Sequence, residues 1–110
     1  MVHVSIGGMT VRSFGVLPGF VWNTYRALRA ARRAPGCINV QIFRRGRLYF
    51  ALSVWDDADA MKAYAHTDVH AYLMTRIRDY TDFFKNVSYT ADAPPSAAEA
   101  EAHWRGITGR

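Results

Sequence analysis

The segment LYFALSVW, Leu48–Trp55, constrains the fold more than any other stretch of the chain. Leu48, Phe50, Leu52 and Val54 alternate with Tyr49, Ala51, Ser53 and Trp55, so a period of two puts apolar side chains on both faces. Such a strand is expected at the centre of a sheet, covered on both sides. Before it, Ile38, Val40 and Ile42 alternate with Asn39, Gln41 and Phe43, and Arg45-Gly46 supplies a tight turn. Cys37 to Trp55 therefore reads as a β-hairpin.

The flanking segments fix the rest of the order. Val2, Val4 and Ile6 alternate with His3 and Ser5 as a half-buried strand, with a bulge or bend expected at Gly7-Gly8. A helix follows, with Pro18 in its first turn and Pro35-Gly36 as its stop. Val21, Tyr25, Leu28 and Ala31 form its expected inward face; Trp22, Arg26, Arg29 and Arg33, with Arg32 nearby, form a basic outward stripe. Asp56 or Asp57 is placed to cap a helix over about Ala58–Ala65, and Asp68 to cap a longer one. The stripe of that longer helix is Val69, Leu73, Ile77, Tyr80 and Phe84. Asn86–Thr90 reads as a short last strand, and Ser96 with Glu99 as the capping box of a final helix that is expected to dock loosely.

The order β–α–β–β–α–α–β–α contains the split βαβ arrangement of an α+β, ferredoxin-like antiparallel sheet with helices on one face. One domain over 1–110 is the economical reading, with 93–110 as a peripheral C-terminal helix and tail. The second face of such a sheet is expected to be open and to show Tyr49, Trp55, Phe43 or their neighbours. That is too apolar to meet water, so a homodimer through this face is expected.

Composition narrows the function classes. With 15 Phe, Tyr and Trp residues and half the chain apolar, a packed core is expected rather than a disordered tail. No membrane span or signal peptide is expected, and the lone Cys37 suits a reducing cytoplasm, where it is read as structural. Residues 1–55 hold eight Arg and no acid, while 56–110 hold nine acids and six bases. No nucleic-acid motif accompanies that asymmetry, so nucleic acid is not the expected partner and the two halves are read as neutralising each other. Arg44-Arg45-Gly46-Arg47 at the hairpin tip could clamp a carboxylate or phosphate; a solvated or edge-protecting tip is the alternative. His66 and His70, with Asp68 between, imitate a metal pair, but the helix break and the lack of a third ligand beyond His3 argue against metal.

APGCINVQIFRRGRLYFALSVWDDADAMKAYAHTDVH resembles the dimeric α/β-barrel superfamily that includes the antibiotic biosynthesis monooxygenases. The resemblance rests on Pro35-Gly36, Val54-Trp55-Asp56 and Ala60, Ala63 and Tyr64. DVHAYLMTRIRDYTDFF with PPSAAEAEAHW resembles a related bacterial family of unknown function. The resemblance implies a cofactor-independent monooxygenase, or related cyclase, acting on an aromatic polyketide-like molecule. The alternative is a non-catalytic ligand-binding or stress-associated dimer. The oxygenase pattern has Asn and Tyr where this chain has Ala51 and Met61. The haem-degrading pattern has its axial His where this chain has Leu73, and its N-terminal Asn near Gly7, so no cofactor is expected and haem is a distant alternative.

In the oxygenase reading, a base takes a phenolic or carbon-bound proton and the resulting anion meets dioxygen in a dry pocket. His70 is the candidate base. Trp55 and Tyr64 are placed to stack on a flat substrate, with Tyr72 nearby. Asn39 or Arg76 is a candidate for its carbonyl oxygen, and Trp22 is a further candidate contact. Ordinary packing is the competing account of His70 and Trp55.

Overall fold

In the computed structural model, which describes residues Met1–Arg110, the alternating N-terminal segment forms one unbroken strand, β1 (Val2–Val11). A single 3₁₀ turn, Phe14–Val16, leads into α1 (Leu17–Arg33); then come the hairpin strands β2 (Cys37–Arg45) and β3 (Leu48–Trp55). Helices α2 (Ala58–Ala65) and α3 (Asp68–Tyr80), strand β4 (Thr81–Ala91) and helix α4 (Ala97–Thr108) complete the chain. The strands lie in the order β2-β3-β1-β4, every neighbouring pair antiparallel. This is the ferredoxin-like α+β arrangement expected, with β3 in the interior of the sheet. No helix is long and apolar enough to cross a membrane.

Several local expectations are corrected. Gly7 and Gly8 keep strict register with Ala51 and Phe50, and the irregularity in β1 lies at Thr10/Val11. The inward stripe of α1 is Phe20, Ala27 and Ala31, whereas Val21 and Tyr25 are exposed. The stripe is turned because α1 packs on α3, where Asn23 Nδ2 donates to Tyr80 Oη at 2.7 Å. Helix α3 stops at Tyr80, so Phe84 belongs to β4; Thr81 Oγ1 donates to Ile77 O at 2.6 Å and closes the helix. Thr67 rather than Asp68 holds the α3 cap position, and Asp68 lies in the first turn. Asp57 caps α2 as expected, accepting from Ala60 N at 2.8 Å.

The larger correction concerns the second sheet face. It is not open. Helix α4 lies along it, started by the expected Ser96/Glu99 capping box. Val4, Ile6, Phe50, Leu52, Val54, Ala100 and Trp104 bury completely in one cluster. A methyl at Gly8 would sit 2.4 Å from Trp104 Cζ2, so only glycine lets the indole lie flat on β1. Trp104 Nε1 donates to Lys85 O at 3.0 Å, and Phe50 meets the indole edge-to-face at 5.0 Å. The helix expected to dock loosely is thus an integral cover. Of the residues expected on an open face, only Phe43 lies on this side; pairing of His3 and Met9 with Trp55 and Tyr49 places those two beneath α1–α3. The sheet face through which the homodimer is expected is therefore occupied by α4.

Candidate functional site

Small residues make the site. On the helix side of the sheet Ser5 pairs with Ser53, and Gly7 pairs with Ala51. Across from these, α1 contributes Ala27 and Ala31. None of these side chains fills the gap between the sheet and the α1–α3 pair, and a cavity of about 130 Å³ remains. Leu28, Val40, Ile42, Leu73, Met74, Ile77 and Phe84 make most of its wall apolar. The polar groups reaching it are few: Ser5, Thr24, Ser53, Tyr64, His70 and Asn86. A concave apolar space with a few convergent polar groups is the usual form of a small-molecule site.

His70 and Tyr64 reach it together, their rings edge-to-face at 5.1 Å. Burial lowers the His70 pKa below its ordinary 6.5, with the Ala65 backbone opposing, so the imidazole is neutral at pH 7 and keeps a free lone pair. Burial, reinforced by the negative charge available to Cys37, pushes the Tyr64 phenol up to about 12. Tyr64 therefore stays protonated and donates to Ala27 O at 2.7 Å, which ties α2 to α1. It positions; it does not act as a base. Trp55 stacks on the far side of Tyr64 at 5.3 Å and is completely buried, behind the wall rather than in it. Its Nε1 has no hydrogen-bond partner. An unmade bond of this kind costs about 1–3 kcal/mol.

The remaining sequence candidates fall elsewhere. Tyr72 and Arg76 pair with each other on the outer surface of α3, at 3.4 Å, and Arg76 also meets Asp79 at 3.3 Å. Asn39 is exposed on the β2 edge strand. Trp22 lies on the outside of α1 against Tyr25. None of the four lines the cavity. Helical spacing and strand alternation mark which residues share a face, not which face meets the cavity. Conversely, sequence reasoning missed Ser5, Ser53, Thr24 and Asn86, because polar residues alternating with apolar ones read as solvent-facing. Asn86 projects from β4 over Gly7, its Oδ1 accepting from Ser5 Oγ at 3.3 Å and its Nδ2 facing Ser88 Oγ at 3.5 Å. A methyl at Gly7 would be 3.3 Å from that Oδ1, so the bare backbone there leaves the amide room.

Cofactor and metal candidates meet a simple test of size and ligands. A cavity of about 130 Å³ is close to the engineered ~150 Å³ cavity that holds benzene. Leu73, where the haem pattern has its ligand, contributes only a hydrocarbon wall. No group of three His, Cys, Asp or Glu side chains is arranged to hold a metal ion. Burial pushes the Cys37 thiol up, opposed by the Asn39 backbone and Arg32, so it is a poor nucleophile.

Solved structures share the fold. SnoaB, a cofactor-independent oxygenase from Streptomyces nogalater, superposes with a TM-score of 0.70 at 19% identity, over 84% of this chain and 95% of that one. A Mycobacterium tuberculosis protein, Rv0793, gives 0.78 at 8% identity, over 87% and 100%. An antibiotic biosynthesis monooxygenase gives 0.69 at 16% identity, over 86% and 100%. These identities establish likeness of fold alone. No curated protein matches the chain. Residues 12–104 match a family described as "Domain of unknown function (DUF3291)", and by that match over most of its length the chain belongs to that family.

Proposed function

We propose that the chain is a cofactor-independent monooxygenase, or a related cyclase, acting on a compact aromatic molecule held between the sheet and the α1–α3 pair. The observation that carries this reading is a neutral, half-buried His70 opening onto an apolar cavity beside Tyr64. In this reading His70 takes a phenolic or carbon-bound proton. The Asn86 amide and the Ser5 and Ser53 hydroxyls hydrogen-bond the developing oxyanion, and the apolar wall keeps out water while dioxygen reacts. Oxygenation of a ring methylene then yields a carbonyl and one water. The volume favours one ring, since about 130 Å³ is a benzene-scale space. A polycyclic polyketide requires α1 and α3 to part.

A specific observation supports a second reading, a non-catalytic ligand-binding protein. Ala51 presents only a methyl to the cavity and Met61 packs against the Trp55 cluster, so the Asn and Tyr of the oxygenase pattern have no equivalents at those positions. Oxygen uptake by metal-free protein, given a panel of simple phenols and anthrones, separates the two. Uptake matched by quinone formation, and lost in His70→Ala, is expected. Binding of the same compounds without uptake would sink the enzyme and leave the binder. We include a homodimer in the reading, built over the exposed β2 edge at Ile38 and Ile42; sedimentation velocity that returns only monomer removes it.

A further inference from the structure

The hairpin tip and the loop from β1 into α1 converge at one end of the sheet, next to the Phe20–Tyr49 pair. Between them lies a cleft of about 280 Å³ walled by Arg12, Ser13, Phe14, Arg44, Arg47 and Tyr49. Strand alternation sorts the tip arginines. Arg45 points to the other side of the sheet and pairs with Glu101 at 3.0 Å, whereas Arg44 and Arg47 stay at the cleft with no carboxylate in ion-pair range. Arg12 donates to Arg78 O at 3.0 Å and likewise has no acidic partner. The nearest acid is Asp82, which accepts from the Thr10 hydroxyl and is further held ionised by Arg47 and Arg12.

Two more features point the same way. Helix α1 begins at this cleft through Leu17, and although Leu17 N donates to Phe14 O and Pro18 has no N–H, no acidic residue in its first turn opposes an anion there. Phe14, at the lip, is 91% exposed, the most exposed large apolar side chain in the molecule. Three guanidinium groups against one carboxylate leave two positive charges. That matches a phosphate monoester, which carries about −1.5 to −2 at pH 7, better than a monocarboxylate. The ring of Phe14 offers a flat surface to an aromatic group attached to that phosphate.

We propose that this cleft binds the phosphate of a small aryl phosphate, gripped by Arg44, Arg47 and Arg12, with its ring against Phe14. The site is separate from the His70 cavity and does not depend on what that cavity does. Calorimetric titration of the full chain with phenyl phosphate, inorganic phosphate and phenol tests it. Phenyl phosphate is expected to saturate, more tightly than inorganic phosphate. Both Arg44→Gln and Arg47→Gln are expected to weaken it at least about tenfold, the loss of a charge-assisted hydrogen bond, without altering the circular dichroism spectrum. Phe14→Ala is expected to bring phenyl phosphate down to the level of inorganic phosphate. Arg29→Gln, on the outer face of α1, serves as the bulk-charge control and is expected to change nothing. Lack of saturation at millimolar phenyl phosphate overturns the proposal. So does equal weakening by Arg29→Gln, which would mark a diffuse field, or phenyl phosphate binding that phenol displaces, which would place it in the His70 cavity.

Discussion

Gly7 and Gly8 are neighbours in β1, and they serve opposite faces of one sheet. On the face of Gly8, large side chains meet: Trp104, Phe50, Ile6, Leu52, Val4 and Val54 are all completely buried, and the missing Cβ is filled by an indole. On the face of Gly7, small residues meet: Ala51 and Ser53 on β3 and Ala27 and Ala31 on α1 leave a cavity, and the missing Cβ is bordered by a polar amide. The first face is close-packed and contributes stability. The second gives up contacts to keep a space open. A fold of this size carries only one such concession easily, because its total stability is a small difference between large terms.

The comparison breaks most visibly at Trp104. Trp104→Ala removes the largest side chain of the packed face and is expected to lose about 3–5 kcal/mol in urea unfolding. Gly8→Ala is expected to lose about 1–3 kcal/mol, because the indole has to shift to relieve a 2.4 Å approach. The same change at Gly7 meets its nearest atom at 3.3 Å and should lose clearly less. If Gly7→Ala and Gly8→Ala prove equal, the two faces are not packed differently. Ala51→Leu puts bulk into the cavity; it is expected to abolish binding of simple phenols while lowering stability by at most about 1–3 kcal/mol. Retained phenol binding in that variant would show that the ligand sits elsewhere.

This difference between faces was only half legible in the sequence. The doubly apolar Leu48–Trp55 strand announced cover on both sides, and the hairpin, the α2 cap and the Ser96/Glu99 box followed from local chemistry that tertiary contacts do not override. Which face each residue joins did not follow, because alternation gives parity without direction. Trp55 and Tyr49 were therefore set on an open face that turned out to be the helix side. The cover by α4 was missed since its single anchor, Trp104, depends on a glycine 96 positions earlier. His70 and Tyr64 were legible as a pair because they stand near each other in sequence on adjacent helices. Asn86 and Ser5 were not, since they meet only through the β1–β4 register.

The polar side of the cavity has its own pH signature. A His70 pKa lowered by burial means the unfolded chain takes up this proton first as pH falls from about 6.5. The residue's contribution to stability is therefore present above 6.5 and is lost as pH falls through the lowered folded value. Wild type should lose stability over that interval more steeply than His70→Gln. Oxygen uptake that needs the neutral imidazole should fall over the same interval, with its midpoint below 6.5. A midpoint above 6.5 would mean that the group titrating with activity is not the buried, neutral His70.

Among these changes the smallest expected effect sharpens the boundary of the site. Tyr72 and Arg76 follow His70 in sequence but face outward on α3, bonded to each other, with Arg76 also bonded to Asp79. Tyr72→Phe and Arg76→Gln remove an exposed contact that solvent already screens, so stability is expected to change little. Phenol affinity and oxygen uptake should stay within about twofold of wild type, since no cavity contact changes and twofold is well under 1 kcal/mol. A tenfold loss in Arg76→Gln would mean that α3 rotates on ligand binding and brings its outer face inward. In that event the static cavity would understate the site, and the benzene-scale limit on the substrate would fall with it.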